Sequence, residues 1–244
     1  MNEPLNRKLR MALVGGAGQG FIGRIHAAAA IRDHRAELVA GALSSDPQKA
    51  RNAAASFGIP PHRAYESFDA LVKAESQVAD EERIDFVSIA TPNYLHFPMA
   101  KQALEADFNV VCDKPMTIDL ANAEALVRLV QRKGAVFALS HNYTGYPMIR
   151  QARQMIRDGE LGEIQAVRLN YIQGWLRGLK PGTTPARGAW KVDPVKIGPS
   201  ETMGDIGVHA YQLVRYVTGL SPERVSATMT SYYPDRRLDN YGHA

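Results

Sequence analysis

The sequence predicts an α/β protein that begins with a doubly wound parallel sheet and continues into a second α/β domain. Short apolar runs alternate with helical segments over about the first 140 residues, and strands that are apolar along their whole length indicate a parallel sheet covered on both faces. A glycine-rich turn follows the first of these runs. The alternation then stops, so we predict one domain over 1–140 and a second over 141–244.

The strands of the first domain are predicted where an apolar run meets a glycine, proline or asparagine stop. They cover 9–14, 37–43, 84–90, 108–112 and 135–139. Helices are predicted between them, over 22–32, from 46–47 onward, over 97–106 and over 119–133. Asp46 and Pro47 suit the cap and the first position of a helix, and Gly134 ends the last one.

The second domain contains fewer predicted elements. Helices are predicted over 147–158 and 203–219, and strands over 162–172 and 223–231. The first of these strands alternates polar and apolar side chains, which is typical of an antiparallel strand with one exposed face. A loop over 174–203 is rich in glycine and proline, and loops of that length are usually functional or mobile. Because 241–244 end without completing a predicted element, we expect the sequence to be a fragment.

The composition narrows the class of protein. The chain has 244 residues, 45% of them hydrophobic, and a net charge of +4 without a block of like charges. These values favour a solvated surface over nucleic-acid binding. Cys112 is the only cysteine, which excludes an internal disulfide, and its place at the end of an apolar strand predicts a buried side chain. Without a signal-peptide core or an apolar run of about 18 residues, we expect a cytoplasmic protein that does not bind membranes.

The turn after the first strand has the pattern Gly-x-Gly-x-x-Gly at Gly18, Gly20 and Gly23. In a dinucleotide-binding turn, these glycines allow the bend, the approach of the pyrophosphate and the close packing of helix on strand. The alternative is a flexible glycine-rich loop. Since the pattern follows a strand and precedes a helix, it predicts a Rossmann cofactor site. Gly15 and Gly16 lengthen the turn, so which glycines touch phosphate stays open. The predicted contacts are Gly16, Gly18, Gly20, Phe21 and Ile22.

The residue that reads the cofactor ribose is expected about 20 positions further on, at the end of the second strand. Ser44 stands there, and it tolerates either a free 2′-hydroxyl or a 2′-phosphate. Asp46 offers a carboxylate, although capping a helix is its more ordinary role. No arginine follows until Arg51. The predicted cofactor is therefore NAD or NADP, with a slight preference for NAD.

Polar residues also follow the third and fourth strands, at 91–96 and 113–115. Ligands of open α/β sheets bind beyond the carboxyl ends of the strands, so both segments should face the same crevice as the glycine turn. The predicted cofactor contacts there are Thr91, Asn93, His96, Asp113 and Lys114. A surface lysine and a helix cap are the alternatives for Lys114 and His96. His26 is predicted to pack beneath the glycine turn.

Further along, Asp205 and His209 lie four residues apart and therefore on one face of a helix. With the glycine turn, the Thr-Pro-Asn segment and the lysine-proline turn, this Gly-Asp-x-Gly-x-His segment resembles the Gfo/Idh/MocA family of NAD(P)-dependent sugar and cyclitol oxidoreductases. The resemblance spans nearly the whole chain. It implies a Rossmann domain followed by a C-terminal α/β domain with a mostly antiparallel open sheet. Family members extend well beyond position 244, so that sheet is expected to be incomplete here, and homodimers or homotetramers are implied for the full-length form.

The resemblance also implies roles for individual residues. Lys114 binds and polarises the reacting hydroxyl or carbonyl, while Asp205 and His209 form the nearby polar pair, with His209 as general acid/base. Two positions depart from the family pattern. Asp113 stands where glutamate is usual and retains the charge, whereas Gln212 stands where aspartate or asparagine is common. The second departure is expected to alter how substrate hydroxyls are held.

The chemistry of these residues agrees with the resemblance. Oxidation of an alcohol requires removal of the hydroxyl proton, and histidine titrates near neutrality, so His209 can accept it while Asp205 orients the ring. A cationic Lys114 would stabilise negative charge on the oxygen. Tyr143 and Trp190 are the further predicted contacts of a small polyhydroxylated substrate, with plain packing and a lid anchor as their alternatives. No metal site is predicted.

Two other functions stay open. Some relatives keep NAD bound and hydrolyse glycosides through transient oxidation, which leaves no net redox change. A catalytically idle dinucleotide-binding protein is the other alternative, and the presence of Lys114, Asp205 and His209 argues against it.

Overall fold

The computed structural model describes residues 6–17, 21–175, 183 and 188–244. The chain divides into two units, Met1–Leu139 and Ser140–Ala244. Among the described residues, no helix has the length and apolar character needed to cross a bilayer.

A five-stranded parallel sheet forms the centre of the first unit. Its strands are β1 (Leu9–Val14), β2 (Ala36–Ala42), β3 (Phe86–Ile89), β4 (Asn109–Cys112) and β5 (Phe137–Leu139). Their order is β2-β1-β3-β4-β5, so the succession of strands changes direction between β1 and β3, where ligands of doubly wound sheets bind. The predicted fold class and all five predicted strands are confirmed.

Five helices connect these strands. They are α1 (Phe21–Ile31), α2 (Pro47–Ala54), α3 (Phe68–Glu75), α4 (His96–Glu105) and α5 (Leu120–Lys133). The carboxylate of Asp46 accepts the backbone N–H of Lys49 at 3.0 Å, and Gly134 ends α5 in the left-handed region at φ 61°, as predicted. Helix α3 was not predicted. Its signal is Ser67, whose hydroxyl accepts the backbone N–H of Ala70 at 3.1 Å just before a short apolar stretch.

Apolar side chains cover both faces of the sheet. Val87, Ile89 and Cys112 are completely buried in a core cluster with helices α3, α4 and α5, while Met11 and Leu13 belong to a second cluster on the other side with Ala27. Burial raises the pKa of the Cys112 thiol well above its usual range, so the thiolate is not formed near neutral pH. The prediction of a buried Cys112 is confirmed.

The second unit contains three α-helices and a small antiparallel sheet among its described residues. The elements are α6 (Pro147–Arg157), α7 (Pro194–Ile197), α8 (Val208–Thr218), β6 (Thr228–Thr230) and β7 (Tyr241–His243). A π-helical turn, Met203–Gly207, leads directly into α8, so the predicted helix over 203–219 is present with one widened turn. Strand β7 was missed, because its three residues carry too little alternation to predict a strand, and its pairing with β6 was therefore missed as well.

The strand predicted over 162–172 is wrong. The segment has no regular secondary structure, and no described residue pairs with it in a ladder. Alternation reports which side chains face an apolar surface, whereas a strand also requires a hydrogen-bonded neighbour. The strand predicted over 223–231 is shortened for the same reason, since only Thr228–Thr230 have a partner.

Candidate active site

The glycine turn begins at the carboxyl end of β1. Gly15 and Gly16 adopt φ values of 86° and 98°, which side chains other than glycine rarely adopt. A Cβ atom on Gly15 would lie 2.6 Å from the carbonyl oxygen of Ala90, and one on Gly23 would lie 2.6 Å from the Cα of Gly16. Helix α1 therefore starts in direct contact with the end of the strand, as the third glycine of the pattern predicts. Gly18 and Gly20 lie outside the described residues.

Two further predicted contacts begin helix α1. Phe21 is its first residue and 61% exposed, and Ile22 packs partly buried against the core cluster around Met11 and Leu13. A large exposed aromatic ring beside the glycine turn is unusual for a surface that meets only water, although single exposed apolar residues are common. The prediction that both residues contact the cofactor remains a prediction.

The end of β2 carries Ser44 and Asp46. The hydroxyl of Ser44 accepts the backbone N–H of Asp46 at 3.1 Å, which fixes the turn that leads into α2. The bond from the backbone N–H of Lys49 lowers the pKa of Asp46, so its carboxylate acts as a helix cap. Of the two roles considered for Asp46, contact with the ribose and capping a helix, the structure shows the helix cap. Ser44 is the polar side chain at the strand end.

His96 joins the turns that follow β3 and β4. It is the first residue of α4 and completely buried. Its Nδ1 lies 2.7 Å from the carbonyl oxygen of Pro115, and its Nε2 lies 2.9 Å from that of Thr91. Burial lowers the pKa of His96, and a neutral ring donates through one nitrogen only. The ring thus joins the Thr91 turn and the Lys114–Pro115 turn by a hydrogen bond to one carbonyl oxygen and a close contact with the other. Neither the resemblance nor the spacing predicted that role.

Asp113 and Lys114 are half-buried at the end of β4, and Asn93 is 4% exposed in the turn after β3. His26 approaches Asp113 from α1, with its Nε2 4.0 Å from a carboxylate oxygen, and its Nδ1 lies 2.9 Å from the hydroxyl of Ser88. Burial lowers the pKa of His26. Sequence analysis placed His26 beneath the glycine turn but did not predict its pairing with Ser88 and Asp113.

In the second unit, Asp205 and His209 lie on the π-helical turn and on α8. They are 8% and 9% exposed, so both titratable groups are largely withdrawn from water. Lys191 Nζ lies 2.7 Å from Asp205 Oδ2. Sequence analysis missed Lys191, because a lysine 14 residues away in an irregular loop carries no periodic signal. π-Helical turns are rare and occur frequently at functional sites.

Aromatic side chains surround His209. The Tyr143 ring lies perpendicular to the imidazole, with centroids 4.9 Å apart, and the His141 ring lies at 6.0 Å. Tyr143 also shares a short hydrogen bond with the hydroxyl of Tyr171. Burial and that bond raise the pKa of Tyr171, so the Tyr171 phenol stays protonated near neutral pH. The structure thus brings predicted Tyr143 and His209 together, and it adds Tyr171, which sequence analysis did not single out.

A second cluster lies around Lys191. Trp190, in a short 3₁₀ turn, and Trp175 present their rings to the ammonium group, with centroids 5.9 and 5.3 Å from Nζ. Glu201, on the same helical segment as Asp205, is only 4% exposed. Burial, followed by the charge of Asp205, raises the pKa of Glu201 to about 7. This carboxyl group therefore exchanges its proton within the physiological range.

The two units present different kinds of chemical group. The first unit offers a glycine cradle and two turns joined by His96, whereas the second offers an imidazole, an ion-paired carboxylate and a pair of hydrogen-bonded tyrosine hydroxyl groups. Among the described residues, no group of three or more His, Cys, Asp or Glu side chains could hold a metal ion. An imidazole beside a carboxylate can exchange a proton with a hydroxyl group near neutral pH.

Comparison with related proteins indicates the family in which this arrangement of residues occurs. An uncharacterized oxidoreductase of Bacillus subtilis, YfiI, is 32% identical over 214 residues, which cover 87% of this chain and 54% of the relative. The levoglucosan dehydrogenase of Pseudarthrobacter phenanthrenivorans is 28% identical over 243 residues, which cover 97% of this chain and 57% of the enzyme. This chain therefore spans little more than half the length of either relative.

Among solved structures, an inositol dehydrogenase homologue from Azotobacter vinelandii in complex with NAD+ is 35% identical. Its TM-score is 0.88, over 97% of this chain and 61% of that one. The same homologue with NADH and myo-inositol gives a TM-score of 0.86 at 35% identity, over 97% of this chain and 60% of that one.

Residues 9–153 match the GFO/IDH/MocA oxidoreductase family with its NAD-binding Rossmann fold. Residues 149–244 match the GFO/IDH/MocA C-terminal domain. The two matches together account for the chain from β1 to its last residue. The chain belongs to the GFO/IDH/MocA family of oxidoreductases.

Proposed function

We propose that this chain is part of an NAD(P)-dependent dehydrogenase that oxidises a secondary hydroxyl of a sugar, cyclitol or related polyol. One observation carries the proposal: His209 is buried beside Tyr143 and one helical turn after the ion-paired Asp205, in a chain of a nicotinamide-binding family. Relatives named as levoglucosan dehydrogenase and inositol dehydrogenase homologue support the polyol class.

The first unit fits a dinucleotide. Gly15 and Gly16 form a cradle whose backbone a Cβ atom would obstruct, and the turns after β3 and β4 are fastened by His96. The residues that would hold the cofactor are Gly16, Gly18, Gly20, Phe21, Ile22, Ser44, Thr91, Asn93, His96, Asp113 and Lys114. For His96 the support is indirect, since its ring is buried and acts through the two turns. When bound, the nicotinamide supplies the acceptor for the hydride.

The residues of the chain handle the proton and the charge. His209 accepts the hydroxyl proton as a general base, and the carboxylate of Asp205 stabilises the imidazolium that results. We assign to Lys114, in the first unit, the stabilisation of negative charge that develops during the reaction. In the reverse direction, His209 returns the proton to the carbonyl oxygen. Tyr143 and Trp190 supply apolar ring faces of the kind that line small-molecule sites.

Ser44 leaves the choice between NAD and NADP to the side chains around it, and we slightly favour NAD because no arginine follows Ser44 in the sequence until Arg51. The nearest arginine in sequence, Arg51, lies 3.3 Å from Glu66, so its charge is already balanced. We further propose that the second unit belongs to the substrate domain and contributes to a homodimer or homotetramer of the full-length protein.

The proposal is tested by titrating the protein with NAD and with NADP, and by offering the tighter-binding form a panel of polyols. We expect one nucleotide to bind in the micromolar range and at least one polyol to give steady growth of the reduced-nicotinamide absorbance. Sugar release without that growth would instead support hydrolysis by transient oxidation. Absence of both, with tight nucleotide binding, would support a non-catalytic protein.

A further inference from the structure

Lys191 occupies an unusual position for a lysine. Its ammonium is held by the carboxylate of Asp205 at 2.7 Å, and the side chain is only 27% exposed. Trp175 and Trp190 face it from 5.3 and 5.9 Å. An ordinary surface lysine is exposed to water and is not enclosed by a buried carboxylate and two aromatic rings. This placement therefore indicates a function for the charge of Lys191.

One consequence of this placement concerns Asp205. A carboxylate that is 8% exposed keeps its charge only when a cation or several donors compensate for the lost water. Lys191 supplies such a cation. The proposed mechanism needs Asp205 as a carboxylate, because only that form stabilises an imidazolium on His209. Lys191 therefore acts on the reaction through Asp205.

A second consequence concerns the substrate. An ammonium has three N–H donors, and Asp205 takes one of them. The two tryptophan rings present flat apolar faces beside the remaining donors, which is the combination that suits a ring with an apolar face and a rim of hydroxyl groups.

The charge around the cluster points to a neutral ligand. The charged groups that act on Glu201 are two cations, Lys191 and Arg236, and two other carboxylates, Asp205 and Asp239. With Glu201 itself, the described residues of this cluster hold three carboxyl groups against two cations. Among the described residues of this cluster the cations do not outnumber the carboxyl groups, so they offer no surplus positive charge to a phosphate or carboxylate on the sugar.

Resting on the proposed function, we propose that Lys191 is a positioning and specificity residue. It holds Asp205 as a carboxylate and donates to a hydroxyl of an uncharged polyol that lies against Trp175 and Trp190. The substrate class is thereby narrowed to neutral sugars and cyclitols, and phosphorylated or acidic sugars are disfavoured.

The chain itself provides the probe, since Trp175 and Trp190 are its two tryptophans and both flank Lys191. Selectively excited tryptophan fluorescence of the protein saturated with NAD is followed while myo-inositol, levoglucosan or glucose 6-phosphate is added. We expect a saturable change with a neutral polyol and a weaker one or none with the phosphate. Lys191→Met should weaken polyol binding by about 10- to 100-fold, the range for a hydrogen bond to a charged group.

Two matched variants test the interpretation. Lys191→Arg keeps the charge and should restore binding to within a few-fold of wild type. Lys196→Met removes a lysine that pairs with Asp193 at 2.9 Å on the surface, and it should leave the titration unchanged. If Lys191→Met does not fold, Lys191→Arg and Lys191→Gln are compared instead, because arginine is the less disruptive substitution. Polyol binding near the wild-type affinity by Lys191→Arg, with weakened binding by Lys191→Gln, supports the proposal.

A pH titration reports the charge of Lys191, which Lys191→Met removes and Lys191→Arg retains. Lys191 lowers the pKa of Glu201, which stands at about 7, so loss of the ammonium should move the midpoint of the fluorescence pH profile to higher pH. Glu201→Gln should abolish that midpoint and identify its source.

The outcomes separate the two proposals. Polyol-dependent fluorescence without formation of reduced nicotinamide would reject the dehydrogenase and retain the site. Three results would overturn the role given to Lys191. The first is that none of the three compounds changes the fluorescence of the wild-type protein, and the second is that glucose 6-phosphate binds more tightly than the neutral polyols. The third is that Lys191→Met binds the polyol within two-fold of the wild-type affinity.

Discussion

The two units of this molecule use buried polar side chains in opposite ways. In the first unit, His26, His96 and Glu75 are largely withdrawn from water and contact side chains or backbone carbonyl groups of neighbouring elements. In the second, Glu201, Asp205 and His209 are buried along one continuous helical segment. The comparison supports the proposed division of labour, in which the first unit would provide rigidity for a cofactor and the second would provide groups that exchange protons.

The first prediction tests whether proton exchange depends on the second unit. His209→Ala should lower turnover by about 10²–10⁴-fold, the usual contribution of a general acid or base, and should flatten the pH–rate profile near neutrality. Nucleotide affinity, measured by fluorescence titration, should stay within a few-fold of wild type. His62→Ala, an exposed histidine of the first unit, is the control. An unchanged bell-shaped profile would remove His209 from the mechanism.

The second prediction tests this division of labour, because Lys114 belongs to the first unit and yet is proposed to take part in the reaction. Lys114→Met should reduce turnover by about 10²–10³-fold through loss of charge stabilisation while nucleotide binding is nearly retained. Lys101→Met, which removes an exposed lysine paired with Glu105 at 2.8 Å, should have little effect. Equal losses of turnover and nucleotide affinity would make Lys114 a structural residue.

The third prediction concerns stability alone. Glu75 is completely buried and is bonded to Arg63 and to the hydroxyl of Tyr65 at 2.8 Å; burial raises the pKa of Tyr65 to about 12. Arg63→Met leaves the carboxylate uncompensated and should reduce the free energy of unfolding by about 3–5 kcal/mol, as measured by urea denaturation. Arg51→Met removes an exposed arginine paired with Glu66 at 3.3 Å and should cost far less. Similar losses for both would contradict the buried-pair argument.

The fourth prediction addresses the anchor of the second unit's helical segment. The carboxylate of Asp239 accepts hydrogen bonds from the hydroxyl of Ser200 and the backbone N–H groups of Glu201 and Thr202, at 3.1, 3.2 and 2.9 Å. Asp239→Ala should destabilise the protein by about 1–2 kcal/mol, as loss of a helix cap does.

A matched control for Asp239 is Asp158→Ala, whose carboxylate accepts from Gln154 at 2.8 Å at the exposed end of α6. Thermal unfolding should separate the two variants. If Asp158→Ala were the more damaging, the cap at Asp239 would be unimportant.

The smallest expected effect is the pH dependence of stability. Burial lowers the pKa of both His26 and His96, so the folded state binds these protons less readily than the unfolded state. Stability is then fully present above the unfolded pKa of about 6.5 and falls as the pH decreases through it. Each histidine contributes a slope of at most about 1.4 kcal/mol per pH unit. His26→Asn should reduce the slope measured between pH 6.5 and 5; an unchanged slope would exclude His26 as a source.

Much of the first unit could be predicted from sequence, because its signals are local. Apolar runs, the caps at Asp46 and Asp119 and the stop at Gly134 each act within a few residues. The site of the second unit was only partly predictable. The spacing of Asp205 and His209 is visible in the sequence, whereas the bond from Lys191, the Tyr143–Tyr171 pair and the Asp239 cap join residues far apart in the chain. Such contacts depend on tertiary packing, which periodicity does not report.

Because of the widened turn at Met203–Gly207, the geometry of the site depends on the number of residues in this segment. A π-helical turn holds one residue more than the α-helical turn it replaces. Because the wider turn absorbs its extra residue, the helix after it keeps nearly the orientation that an uninterrupted α-helix would give. The extra residue is accommodated within the turn that carries Asp205. Deleting Ile206 or Gly207 should therefore move Asp205 relative to Lys191 while His209 on α8 stays nearly in place.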